Sequence, residues 1–197
     1  MGTRLDTWNG TDWPGYGGID ENHYSPLKDI NDHNVGRLGL AWYQDIDGGG
    51  SSLTAPIAVD GILYYASGYS VVHAVDAATG HELWTYDPQS WKVADQKMRG
   101  AWGSRGIAYD NGAVYVGTID GRLIAINART GHRLWSTQTI GKDDERYISG
   151  APWVFNGKVL IGHGGADFAP IRGYVTAYDQ KTGKQLWRFY TVPGDPK

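Results

Sequence analysis

An eleven-residue phrase repeated three times, an excess of glycine and aromatic residues, and short apolar runs that break at Asp-Gly or Asn-Gly predict an all-β fold. Its four-stranded sheets repeat in the manner of a β-propeller. The phrase reads Ala74-Val-Asp-Ala-Ala-Thr-Gly-His-Glu-Leu-Trp84, Ala125-Ile-Asn-Ala-Arg-Thr-Gly-His-Arg-Leu-Trp135 and Ala177-Tyr-Asp-Gln-Lys-Thr-Gly-Lys-Gln-Leu-Trp187, its alanines 51 and then 52 residues apart. Glycine supplies 29 of the 197 residues, tryptophan 9 and tyrosine 13, where glycine ordinarily contributes about 7%. No Gly-x-y period exists, which excludes collagen, and an aromatic content of 13% excludes a disordered chain. At this period the chain holds about three to four blades.

Each unit reads as four strands. The innermost ends at an Asx-Gly pair (Pro56-Ile-Ala-Val-Asp60 before Gly61, then Asn111-Gly112 and Asn156-Gly157), a hairpin signal because both positions tolerate positive φ. The second strand follows at Leu63–Ala66, Val114–Gly117 and Val159–Gly162. The third, Val72–Val75, Leu123–Ile126 or Val175–Tyr178, is apolar on both faces, which suits a sheet stacked between two others. The Asx-x-x-Thr-Gly turn leads to the fourth strand, closed by Trp84, Trp135 or Trp187. A tryptophan once per unit is read as a wedge between blades. These marks divide the chain into an N-terminal segment with an outer strand (1–51) and three repeats (52–87, 88–140 and 141–197).

Composition also bounds function. A net charge of −3 without a basic run argues against nucleic acid as partner. No run of 18 apolar residues occurs, so no membrane span is expected, and the first residues lack the apolar core of a signal peptide. With no cysteine there is no disulfide and no thiolate metal site.

Function is expected where the copies diverge. The third unit carries seven extra residues in its second hairpin, within His163-Gly-Gly-Ala-Asp-Phe-Ala-Pro-Ile-Arg172. The connector after Trp84 is six residues longer than that after Trp135 and carries Met98-Arg-Gly-Ala-Trp-Gly-Ser-Arg105. The innermost strand of the second unit begins Ser104-Arg105-Gly106, where its neighbours read Leu53-Thr54-Ala55 and Ser149-Gly150-Ala151. Up-and-down topology brings these departures to one end of the central channel. An arginine, a hydroxyl, a Gly-Gly backbone and a carboxylate there predict a polar site for an anionic, planar ligand. The residues alone leave Arg105 either a ligand contact or a channel charge paired between blades, and Asp167 either a ligand or a solvated loop acid. His163, four residues before Asp167, is read as loop structure.

Tyr24-Ser-Pro-Leu-Lys-Asp-Ile-Asn31, Asn34-Val35, Leu38 and Ala41-Trp42 resemble the N-terminal signature of pyrroloquinoline quinone (PQQ)-dependent methanol/ethanol-type dehydrogenases. The repeated phrase is similar to that family's tryptophan-docking motif. Ser104–Tyr109, Ser149–Pro152, Gly164–Asp167, Arg172–Asp179 and Trp187–Pro196 resemble its cofactor-side segments. The resemblance implies a partial propeller, part of an eight-bladed ring that holds PQQ and Ca²⁺, or another large hard cation, and oxidises an alcohol. By position it assigns Arg105 to the quinone or carboxylate oxygens of PQQ and Ser149 to a carboxylate. It assigns Gly164, Gly165 and Ala166 to the cofactor edge and Asp167 to the metal. It assigns no catalytic residue here: the family's proton-accepting Asp lies downstream, and the isolated chain is expected to be inactive. Leu53 replaces a frequent Glu, and the family's adjacent cysteine pair maps near Arg99-Gly100. A cytochrome or haem domain as electron acceptor and a periplasmic location are likewise implied. The alternative is a non-enzymatic PQQ-like propeller that serves as a scaffold for protein partners; retention of Arg105 and Asp167 favours the enzyme.

Overall fold

The turns dictate the strands. In a computed structural model, which describes residues 11–18, 23–46, 54–93, 103–141, 143–166 and 170–194, all three Asx-Gly pairs adopt positive φ: Asp60 52° and Gly61 75°, Asn111 49° and Gly112 74°, Asn156 46° and Gly157 71°. Two consecutive left-handed residues match the right-handed twist of the flanking strands, so each pair closes a tight hairpin. Strand β1 (Ile57–Val59) thus turns into β2 (Ile62–Ala66), β5 (Ala108–Asp110) into β6 (Ala113–Gly117), and β9 (Trp153–Phe155) into β10 (Lys158–Ile161). Strands β3 (Val72–Asp76), β7 (Arg122–Asn127) and β11 (Tyr174–Asp179) follow, then β4 (Glu82–Tyr86), β8 (Arg133–Gln138) and β12 (Gln185–Tyr190). The result is three antiparallel four-stranded sheets in the orders β1-β2-β3-β4, β5-β6-β7-β8 and β9-β10-β11-β12. The outer strands run on past their tryptophans to Tyr86, Gln138 and Tyr190, longer than the repeated phrase implies, because pairing with the third strand continues to Val72, Arg122 and Tyr174.

The Asx-x-x-Thr-Gly turns build themselves from their own polar groups. Asp76 Oδ1 accepts the Ala78 N–H (3.1 Å), the Thr79 N–H (2.8 Å) and the Thr79 hydroxyl (2.7 Å). Asn127 and Asp179 accept the corresponding three donors in their turns. Each turn receives an indole from the preceding segment. Trp42 Nε1–H donates to the Ala77 carbonyl (3.1 Å), Trp84 to Ala128 (2.8 Å) and Trp135 to Gln180 (3.0 Å). The ring lies so close that a Cβ on Gly80, Gly131 or Gly183 would sit 2.5, 2.8 or 2.5 Å from it. Glycine is therefore needed there twice over, for positive φ and for ring contact. Trp187 has no described turn to enter and is 41% exposed.

Two apolar cores lie between sheets. Val114 and Val116 of β6 face Ile57, Val59, Tyr64 and Val72 of the first sheet, while Ala113 and Tyr115 face Val159, Ile161 and Tyr178 of the third. The period-two alternation of β6 thus serves both cores, and the whole strand is buried. Among the described residues no helix is long and apolar enough to cross a membrane. The three sheets stand in sequence without closing into a ring: a partial propeller.

Two outcomes are expected. Gly112 and Gly131 share positive φ, but nothing lies within 4 Å of a Cβ on Gly112, whereas Trp84 blocks one on Gly131. Gly112→Ala should cost about 1 kcal/mol in urea unfolding, and Gly131→Ala about 1–3 kcal/mol more. The Asp76 and Asp179 carboxyls are held below the usual 3.8, first by the Thr79 and Thr182 hydroxyls and then by backbone N–H groups. A lowered folded value means their contribution is complete above 3.8 and lost as pH falls through it. Amide exchange of Thr79 and Thr182, corrected for intrinsic rate, should therefore lose protection in acid, while Thr130 beside the non-titrating Asn127 keeps it.

Candidate functional site

The segments that lead into the innermost strands lie side by side. Ala55 and Gly106 form a parallel bridge, and the Arg105 N–H donates to the Ser149 carbonyl (2.8 Å). The hairpins between the second and third strands reach the same end: Gly68 bridges Gly103, and Gly164 bridges Tyr147. Thus Arg105, Ser149 and the Gly164-Gly165 hairpin meet at one end of the innermost strands.

The local chain determines which way each group faces. Ser104 is buried; its hydroxyl donates to the Gly106 carbonyl (2.6 Å) and folds the strand entrance around Arg105. Arg105 itself is exposed and makes no ion pair with any described residue. Ser149 is half-buried. A Cβ on Gly164 would meet the Tyr147 ring at 2.9 Å; one on Gly165, at φ 118°, would meet Ile171 Cδ1 at 2.9 Å and the Glu145 carbonyl at 3.2 Å. The two glycines are thus required by packing within the chain, a reason separate from any approach to a ligand. Ala166 is exposed. Asp167, Leu53 and Arg99-Gly100 lie outside the described residues.

His163 is committed to the loop. Its Nε2 accepts the Tyr174 N–H (3.3 Å), which places the ring proton on Nδ1, facing the Gly164 carbonyl (3.1 Å). Burial first, and then the nearby Arg146, lowers its pKa, so the ring is neutral near pH 7. With both nitrogens engaged it has none free for a metal, and no group of three His, Asp or Glu able to hold one occurs among the described residues.

Behind the hairpin lies a cluster that the sequence did not announce. Arg188 stacks on Tyr174 (3.8 Å to the ring centre) with Arg146 on the same ring (5.3 Å), and Arg172 stacks on Tyr190 (4.0 Å). Asp144 pairs with Arg146 at 2.6 Å, and the Arg146 guanidinium also donates to the Arg172 carbonyl (3.0 Å). Burial raises the Tyr174 phenol, with the two arginines opposing the shift. Only the scattered spacing of these residues was visible in the chain; strand pairing assembles them. Chemically, this end offers a guanidinium without an ion pair among the described residues, a hydroxyl and a positive field, a donor set suited to an anionic ligand.

The profile of the PQQ glucose/ethanol/alcohol dehydrogenase β-propeller domain matches residues 13–197. A quinohemoprotein alcohol dehydrogenase of Pseudomonas putida is 54% identical over 179 residues, 90% of this chain and 25% of the relative. The crystal structure of the Comamonas testosteroni quinohemoprotein alcohol dehydrogenase superposes with a TM-score of 0.88 at 45% identity, covering 98% of this chain and 29% of that one. A europium-containing methanol dehydrogenase gives 0.78 at 34% identity, covering 92% and 32%. The chain therefore spans about a quarter of the length of these quinohemoprotein relatives. By the match along nearly its whole length, the chain belongs to the PQQ-dependent glucose/ethanol/alcohol dehydrogenase propeller family.

Proposed function

We propose that this chain supplies cofactor and metal contacts to a PQQ- and calcium-dependent alcohol dehydrogenase. The observation that carries the reading is Arg105: an exposed guanidinium without an ion pair among described residues, tied through its own backbone to Ser149. An anionic quinone with carboxylates is complementary to that pair. Arg105 would hold quinone or carboxylate oxygens, and Ser149 would donate its hydroxyl to a carboxylate. Gly164, Gly165 and Ala166 would border the cofactor edge, and Asp167 would offer oxygen to the hard cation. When bound, PQQ would supply a quinone carbon able to take hydride from an alcohol, and Ca²⁺ would supply positive charge. The chain's own residues bind and orient; no proton acceptor for the alcohol is assigned among them. By family likeness the electrons pass to a haem or cytochrome, and the location is periplasmic.

The experiment is a chimera in which these 197 residues replace the matched quarter of the Pseudomonas putida relative, reconstituted with PQQ and Ca²⁺. Alcohol-dependent dye reduction is expected from it and none from the 197 residues alone; silence with every primary and secondary alcohol would overturn the reading. In the chimera Arg105→Ala should weaken PQQ binding about 10- to 100-fold, as loss of charged hydrogen bonds does, and Ser149→Ala about 3- to 10-fold. Asp167→Ala should abolish calcium dependence, and an unchanged calcium titration removes it from the metal shell.

A further inference from the structure

The residue before the repeated alanine differs between sheets: His73, Ile124 and Thr176. Ile124 is fully buried in the apolar core between the first and second sheets. His73, on the opposite, N-terminal side of the array, is buried among polar groups. Its Nε2 lies 2.9 Å from the Ser67 hydroxyl, and its Nδ1 lies 3.1 Å from the Glu82 carboxylate and 3.3 Å from the Thr85 hydroxyl. A carboxylate only accepts, so Nδ1 carries a proton. Tyr65 stacks on the imidazole at 4.9 Å, 14° from parallel, and its hydroxyl donates to Gln44 Oε1 (2.9 Å). The Glu82 carboxylate also bonds Gln44 and is held below its usual range, chiefly by the Thr85 hydroxyl. Gln44, Tyr65, His73 and Glu82 therefore form a closed ring of contacts.

The order Ser67, His73, Glu82 is that of a nucleophile relay, but Ser67 is 1% exposed and no substrate reaches it. The group faces residues 42–46 instead. Trp42 and Gln44 are half-buried against the first sheet, whereas Ala41, Tyr43, Asp45 and Ile46 are exposed. The alternation is that of a docked extended segment.

The indole seat is common to all three junctions and cannot tell one outer segment from another. The residue two places beyond the tryptophan can: it is Gln44, Tyr86, Thr137 and Phe189 in turn. Tyr86 packs against the apolar core between the first and second sheets. Glu82 is 42% exposed and keeps His73 and Thr85 as partners, whereas the half-buried Tyr65 hydroxyl donates to Gln44. A Tyr86-like or Phe189-like side chain there would take that acceptor away and set a ring beside the carboxylate, a penalty that falls only on the wrong partner.

We propose that Ser67, Tyr65, His73 and Glu82 form a recognition key that selects the Trp42-x-Gln44 segment, against the chain's other tryptophan-bearing outer strands, as the partner of the first sheet. This reading is independent of the cofactor assignment. The test is amide exchange of residues 41–46 in the full chain, with β6 and β7 as a folding control. Gln44→Tyr should reduce protection of that segment at least tenfold and leave the control unchanged. In a chain carrying His73→Ile and Glu82→Leu the preference should reverse, with Tyr at position 44 better protected than Gln. Equal protection of Gln44→Tyr and the unaltered chain would overturn the proposal, as would the same order of preference in both backgrounds. If the converted background loses protection in β6 and β7, Gln44→Tyr and Gln44→Leu in the unaltered background decide, since neither changes a sheet residue.

Discussion

An indole N–H held by the backbone carbonyl of the next sheet's turn is the contact on which the rest of this structure depends. It is directional where the apolar cores are not. The cores between sheets bury apolar area without naming a direction, whereas Trp84 and Trp135 each reach one carbonyl across a turn that only glycine leaves open. The turn in turn depends on a single Asx oxygen that takes three donors. Local polar chemistry makes the socket, and the aromatic ring fills it.

That outer restraint has an inner counterpart. The bond from Arg105 N–H to the Ser149 carbonyl and the parallel bridge from Ala55 to Gly106 hold the entrances of the innermost strands together. With each sheet fixed at two separated places, groups contributed by different repeats acquire fixed relative positions. The residues proposed to hold the cofactor are thereby supported by architecture rather than by loops alone, as the proposed recognition of a rigid planar anion would require.

The repeat and its turns were legible because they are local: Asx-Gly and Thr-Gly express backbone conformations that follow from residue type, and strand alternation follows from the pleat. The divergent segments around Arg105 and Gly164 were legible as departures from that repeat. The arginine–tyrosine stack behind His163 was not, because Arg146, Arg172 and Arg188 come from three segments and meet only across strands. Neither was the role of Gln44, an ordinary polar residue beside a tryptophan until His73 and Glu82 are placed opposite it.

By itself, then, the sequence determined the repeated sheet, its turn conformations, the tryptophan period and the family to which the chain belongs. Each is written in residue type and spacing along one unit. Only the tertiary structure decided that Gly164 and Gly165 answer to Tyr147 and Ile171, that both nitrogens of His163 are occupied, and that the first sheet meets its N-terminal segment through polar groups. Those outcomes depend on which side chains face one another across strands and sheets, and linear spacing carries no record of that register.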